Sequence, residues 1–157
     1  MYVTTQNRAK LGDTVPELQA HLPASLVKEN ADKTAFSMWV PAVSRHFNAR
    51  GPDGPATIAI VGIESHICVT QTALDLLHAG HRVLVLADGV SSCNREEVSL
   101  ALDRMRTAGA VITTSESWMY ECMRDAAIPE FKQIVGLVKD MSADTRAVLQ
   151  ELLPAKM

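Results

Sequence analysis

The stretch TIAIVGIESHICVT, Thr57 to Thr70, decides how the rest of the chain is read. Thr57 to Gly62 is a β-rich apolar run, and a helical stretch from about His66 to His78 follows it directly, closed by Gly80. Arg82 to Ala87 (RVLVLA) is a second such run, ended by Asp88 and Gly89, and Ala110 to Thr113 is a third, after Gly109. The polar loop Ser91-Ser92-Cys93-Asn94 offers caps to a helix that opens on Glu96 and Glu97. Ser115 and Glu116 begin another helix through Arg124, and Pro129 begins a further one through Lys139. Strands that are apolar throughout and joined by helices indicate a parallel sheet covered on both faces. The predicted fold class is therefore α/β, doubly wound, with a mainly parallel sheet and helices on both faces.

Upstream the pattern is less regular. Tyr2 to Thr5 reads as a strand, and residues 6–25, holding Gly12, Pro16 and Pro23, read as loop with a short turn. Leu26 to Lys28 is a candidate short strand and Val40 to Ala49 a candidate helix, followed by the loop Gly51-Pro52-Asp53-Gly54-Pro55. Nothing before that loop is large enough to fold alone. The expectation is one domain over residues 1–157, with residues 140–157 as a C-terminal helical extension. There, Val148, Leu149, Leu152 and Leu153 recur at helical spacing, as on a docked helix or an oligomer contact.

Composition narrows the function. The 157 residues are 47% hydrophobic and carry 15 Lys+Arg against 18 Asp+Glu, a formal charge of −3. That balance supplies no cationic excess for phosphates, so no nucleic-acid partner is expected. No apolar run approaches the length of a membrane span, and the first residues lack the pattern of a secretory leader. Cys68, Cys93 and Cys122 are an odd, widely spaced set, which reads as reduced thiols in a cytoplasmic protein.

Ligands of open α/β sheets gather at the carboxyl ends of the strands, where Gly62 to Val69 falls. On a helical wheel advancing about 100° per residue, Val69, Ala73, Leu74, Leu76 and Leu77 cluster away from Cys68. Cys68 shares its face with Gln71, Thr72 and Asp75. A first-turn position favours a thiolate, and the unpaired N–H groups there suit an oxyanion. The competing reading is a buried structural cysteine. Cys122, close behind Trp118 and Met119, is read as part of a packing face, and Cys93 as a loop thiol. The histidines at 21, 46, 66, 78 and 81 form no zinc spacing, and there is neither GxGxxG nor a Walker loop.

These segments resemble the isochorismatase-like cysteine hydrolase superfamily, especially its isochorismatase domain-containing branch. The motifs are Val61 to Val69, Ala73-Leu74-Asp75-Leu76-Leu77, Asp88-Gly89-Val90-Ser91-Ser92 and Thr113-Thr114-Ser115-Glu116. Upstream, Lys33 to Met38 is similar to the family's lysine segment, and Val3-Thr4-Thr5-Gln6 with Leu11-Gly12 to its second strand and following loop. The resemblance covers most of residues 2–139 and implies a Rossmann-like three-layer sheet.

It also implies an Asp–Lys–Cys triad in which Cys68 matches the nucleophile and Lys33 the lysine. Backbone N–H groups at Glu64 and Cys68 match the oxyanion hole, and the Ile63–Glu64 peptide matches one that is cis in the family. Phe36, Ser65 and His66 fall where a substrate pocket is expected. An ammonium beside a thiol favours the nucleophilic thiolate. The family aspartate lies on an N-terminal central strand preceding the segment matched by Tyr2 to Thr5. The expectation is that this strand and aspartate are absent here, impairing activity. Adjacent Asp32 does not replace the aspartate. The metal-binding nicotinamidase branch uses an aspartate and histidines, whereas residues 3–25 hold only Asp13 and His21 without DxH spacing. Neither metal nor cofactor is expected. The implied function is hydrolysis of a small amide or related carbonyl compound by a homo-oligomer. The alternative is a non-catalytic relative acting through oligomer or partner contacts.

Overall fold

The computed structural model describes residues 1–48, 51 and 54–152. Ala49, Pro52, Asp53 and Leu153, which figured in the sequence reading, lie outside them. The strands are β1 (Tyr2–Gln6), β2 (Glu29–Lys33), β3 (Thr57–Ile63), β4 (Arg82–Ser91) and β5 (Val111–Thr113). The helices are α1 (Arg8–Leu11), α2 (Pro16–Gln19), α3 (Pro41–Ser44), α4 (Thr70–His78), α5 (Glu96–Thr107), α6 (Ser115–Met123) and α7 (Phe131–Leu152). A π-helical turn, Ser65–Val69, joins β3 to α4.

All strand pairs are parallel, and they form two sheets. β1 pairs with β2, opposing Gln6 to Lys33. β4 is the centre of the other sheet, between β3 and β5. Among the described residues, β1 and β3 each have a strand partner on one edge. The chain is α/β, its parallel strands flanked by helices.

The core belongs to the three-stranded sheet. Val83, Val85, Ala87 and Val90 of β4 pack with Val69, Ala73 and Leu76 and with Val98, Ala101, Leu102 and Met105 of α5. Leu84 and Leu86, alternating to the opposite face, are buried too, so β4 is covered on both sides. That is why its sequence is apolar without interruption. The two upstream strands bury only Thr5 and Lys33, both polar. Rings join the halves: Tyr2 lies 4.8 Å from Phe47, and Phe47 and Trp39 lie 5.6 and 5.4 Å from buried His81.

Several boundaries differ from the sequence reading. Asp88 and Gly89 do not end β4: the register jumps from Ile60↔Val85 to Gly62↔Val90, and the strand continues through an irregularity. A side chain at Gly89 would place its Cβ 2.7 Å from a Val61 methyl, so any larger residue there would force Val61 to move. Leu26 to Lys28 is turn, and the strand begins one residue later at Glu29. The helix expected from Val40 shrinks to α3. Arg95, not the serine-rich loop, occupies the α5 N-cap, without a side-chain cap bond. α7 runs unbroken from Phe131, so residue 140 falls inside a helix. Cys122 is exposed. α6 buries Met123 instead, and its immediate neighbour points about 100° away. No helix among the described residues is long and apolar enough to cross a membrane.

Candidate functional site

Cys68 lies on the π-helical turn at the carboxyl end of β3, with intermediate exposure. Gly62 has φ +128°, a backbone conformation that favours glycine, and the Ile63–Glu64 peptide that follows is cis. The Glu64 carbonyl then accepts from the N–H groups of Ile67 and Val69, both at 3.1 Å. Three consecutive side chains fasten this turn to the end of β4. Cys93 N–H donates to the Glu64 carboxylate at 2.6 Å, and Ser65 Oγ donates to Ser91 O at 2.9 Å. His66 Nδ1 lies 2.9 Å from Ser92 Oγ. The Glu64 carboxylate thus serves a backbone amide of the neighbouring loop.

Lys33 ends β2 and is 8% exposed. Its ammonium donates to Gln6 Oε1 at 2.6 Å, to Phe36 O at 2.9 Å and to Ala35 O at 3.1 Å. Burial pushes its pKa below the usual lysine value, while the negative charges of Cys68 and Asp32 pull it back up. Asp32 is turned to other work. Its carboxylate accepts from Arg8 N–H and Thr5 Oγ, both at 2.9 Å, and these bonds hold its pKa below the ordinary carboxylate value.

One polar chain connects the two segments. Met38 N–H donates to Thr72 Oγ1 at 2.9 Å, and Thr72 Oγ1 donates to Cys68 O at 2.6 Å. The loop that wraps Lys33 is thereby tied to the turn that carries Cys68. Thr72 shares the Cys68 face as the wheel indicated, yet it is buried beneath that loop while Gln71 and Asp75 are exposed.

The expected pocket residues separate into two groups. Ser65 is fully buried with its hydroxyl engaged, so it shapes the turn. Phe36 is exposed and His66 half-buried, which leaves both reachable from solvent. Sequence reasoning placed Gln6, Thr72 and Ser92 in or beside the site motifs but gave none of them a role. Only the parallel register of β1 on β2 brings Gln6 opposite Lys33. Among the described residues, no three His, Cys, Asp or Glu side chains converge as a metal site would require.

The isochorismatase domain model matches residues 3–117. The secreted isochorismatase effector Isc1 of Phytophthora sojae is 44% identical over 138 residues, covering 88% of this chain and 65% of the relative. Isochorismatase domain-containing protein 2A of Mus musculus is 40% identical over 145 residues, covering 91% and 66%. The chain therefore spans about two thirds of the length of these relatives. Among solved structures, the MAR1 ribonuclease of Caenorhabditis elegans superposes with a TM-score of 0.83 at 34% identity, covering 99% of this chain and 75% of that one.

Proposed function

The chain belongs to the isochorismatase family, and from that premise we propose that it is a hydrolase whose nucleophile is the Cys68 thiolate. The observation that carries this reading is the pairing of a buried ammonium, Lys33, with a half-exposed cysteine at the end of a parallel strand. Family membership supports a hydrolase-type fold, and the substrate class we assign is a small amide or related carbonyl compound.

In this reaction the sulfur attacks the carbonyl carbon, and the carbonyl π electrons move onto oxygen. Backbone N–H groups of Glu64 and Cys68 receive that oxyanion. Collapse re-forms the carbonyl and expels the amine, which takes back from solvent the proton the thiol gave up on ionising, giving a thioester on Cys68. Water then adds to the thioester and releases a carboxylic acid and the thiol. The scheme requires no metal or cofactor. Phe36 and His66 are the assigned pocket contacts, with Ser65 shaping the turn beneath them. We assign the whole chain to one domain. Its three free thiols support a reducing, cytoplasmic setting, and the exposed Leu137 and Met141 of α7 support self-association.

The test is turnover of a panel of short aliphatic and aromatic primary amides, with the Cys68-containing peptide monitored by mass spectrometry. We expect an acyl adduct on that peptide and loss of turnover in Cys68→Ala. Undiminished turnover in Cys68→Ala would overturn the assignment. A chain inert to the whole panel, whose Cys68 alkylates no faster than an unfolded thiol, would favour the non-catalytic alternative.

A further inference from the structure

Gln6 grips Lys33 in a way that restricts what the lysine can do. Its side-chain amide is pinned at both ends, with Nε2 donating to Thr34 O at 2.8 Å and Oε1 accepting from Lys33 Nζ at 2.6 Å. An ammonium can only donate and a carbonyl can only accept, so these partners force one orientation of the amide. The other Lys33 bonds go to Ala35 O and Phe36 O. An ammonium has three protons, and all are committed. Every acceptor is neutral. Among the described residues, no carboxylate hydrogen-bonds or ion-pairs with Lys33, and Asp32 is engaged by Thr5 and Arg8. Among the described residues the ammonium is therefore satisfied as a donor by neutral groups alone.

We propose that Gln6 is a positioning residue that holds the Lys33 ammonium in place beside Cys68. Lys33 then acts on the sulfur through its field, with its three protons held by neutral acceptors. The inference rests on the assignment of Cys68 as nucleophile. The side chain at position 6 has to be neutral and long enough to reach Nζ. A glutamate there would form an ion pair with Lys33 and cancel the field. A side chain without an acceptor would release the ammonium.

The experiment is the pH dependence of iodoacetamide alkylation at Cys68 in the full chain. Peptide mapping separates Cys68 from the exposed Cys93 and Cys122. Gln6→Glu is expected to raise the alkylation midpoint by about one pH unit, making Cys68 about tenfold slower at pH 7. Gln6→Met, which keeps the length but removes the acceptor, is expected to slow it about threefold. Lys33→Met should slow it at least as much as Gln6→Glu does. A purely structural role for Gln6 would lower the melting temperature and leave the midpoint in place. That result, with Lys33→Met shifting the midpoint and both Gln6 variants titrating as the parent, overturns the positioning role and leaves the nucleophile reading standing. An unshifted Lys33→Met instead overturns the Lys33–Cys68 pairing itself. Should Gln6→Glu fail to fold, Gln6→Met alone decides, by the same criterion.

Discussion

The two sheets of this molecule use opposite interiors. Around β4, valine, leucine and alanine side chains are packed from both faces by helices, and the stability is that of buried hydrocarbon. Between β1 and β2 the buried residues are a threonine and a lysine. Hydrogen bonds and a few ring contacts hold that half, and each polar bond adds only about 0.5–1.5 kcal/mol net. The difference matters because a charge works electrostatically only where it is partly withdrawn from water. Lys33 could not keep its environment on the surface, and a hydrocarbon core could not satisfy its protons. The two-stranded sheet supplies backbone carbonyls and one amide, and the three-stranded sheet supplies a rigid anchor for the cysteine turn.

The sharpest way to break this comparison is to truncate one aliphatic side chain to alanine in each half. Leu102→Ala, in a residue 2% exposed on α5, is expected to cost about 2–5 kcal/mol of unfolding free energy. Val3→Ala, in half-buried β1, is expected to cost less than about 1 kcal/mol. Urea denaturation of both variants measures the contrast. Equal losses would mean that the upstream sheet carries a core of its own.

Next in size is the connection between the halves. The Thr72 hydroxyl is buried, donating to Cys68 O and accepting from Met38 N–H. Thr72→Val preserves shape but takes away the acceptor of the Met38 amide, at a cost of about 1–3 kcal/mol. Hydrogen exchange at the Met38 amide should rise selectively. Unchanged protection there would mean that the Lys33 loop is held by its other contacts.

Lys33 itself gives a signal in pH more than in magnitude. Its folded pKa lies below the unfolded value of 10.5, so the native state binds fewer protons than the unfolded state between those two values. Stability contributed by this group therefore rises as pH climbs through that window, and is flat below it. Lys33→Met should abolish that rise while lowering amide turnover about a hundredfold, the scale of losing one positioned electrostatic group. Melting temperatures measured across pH 7–10.5 in parent and variant test the sign. A parent whose stability falls more steeply than the variant's in that range would contradict the burial of Lys33.

Sequence made one half far more legible than the other. β3, β4, α4 and α5 carry long apolar or amphipathic patterns, because their side chains meet a common core whose period is written into the residues. Cys68 and Lys33 stood out through resemblance and through a first-turn position off the apolar stripe. The register irregularity in β4 was hidden because Asp88-Gly89 also reads as a turn, and only the resumed pairing with β3 at Val90 and Ser91 reveals that the strand continues. α1, α2 and α3 are single turns too short for periodicity to mark. Gln6 was invisible as a partner of Lys33, since no local pattern announces which residues oppose each other across parallel strands 27 positions apart.

The smallest expected effect comes from Glu64, the one carboxylate whose position next to the cysteine turn invites a catalytic role. Its Oε2 accepts the Cys93 amide proton, so the carboxylate is directed at the loop after β4. An amide oxygen accepts the same bond, and Glu64→Gln keeps length and shape. The substitution also leaves the Glu64 carbonyl, which anchors Ile67 and Val69, untouched. We therefore expect Glu64→Gln to alter amide turnover by less than about tenfold, or ~1.4 kcal/mol in the barrier. Alkylation at Cys68 should keep its pH midpoint, because the charge that governs it comes from the other sheet. A loss of turnover as deep as that of Cys68→Ser would show the carboxylate taking part in proton transfer. The catalytic groups would then be gathered on the three-stranded sheet, and the division of labour between the two halves would fail at its most exposed point.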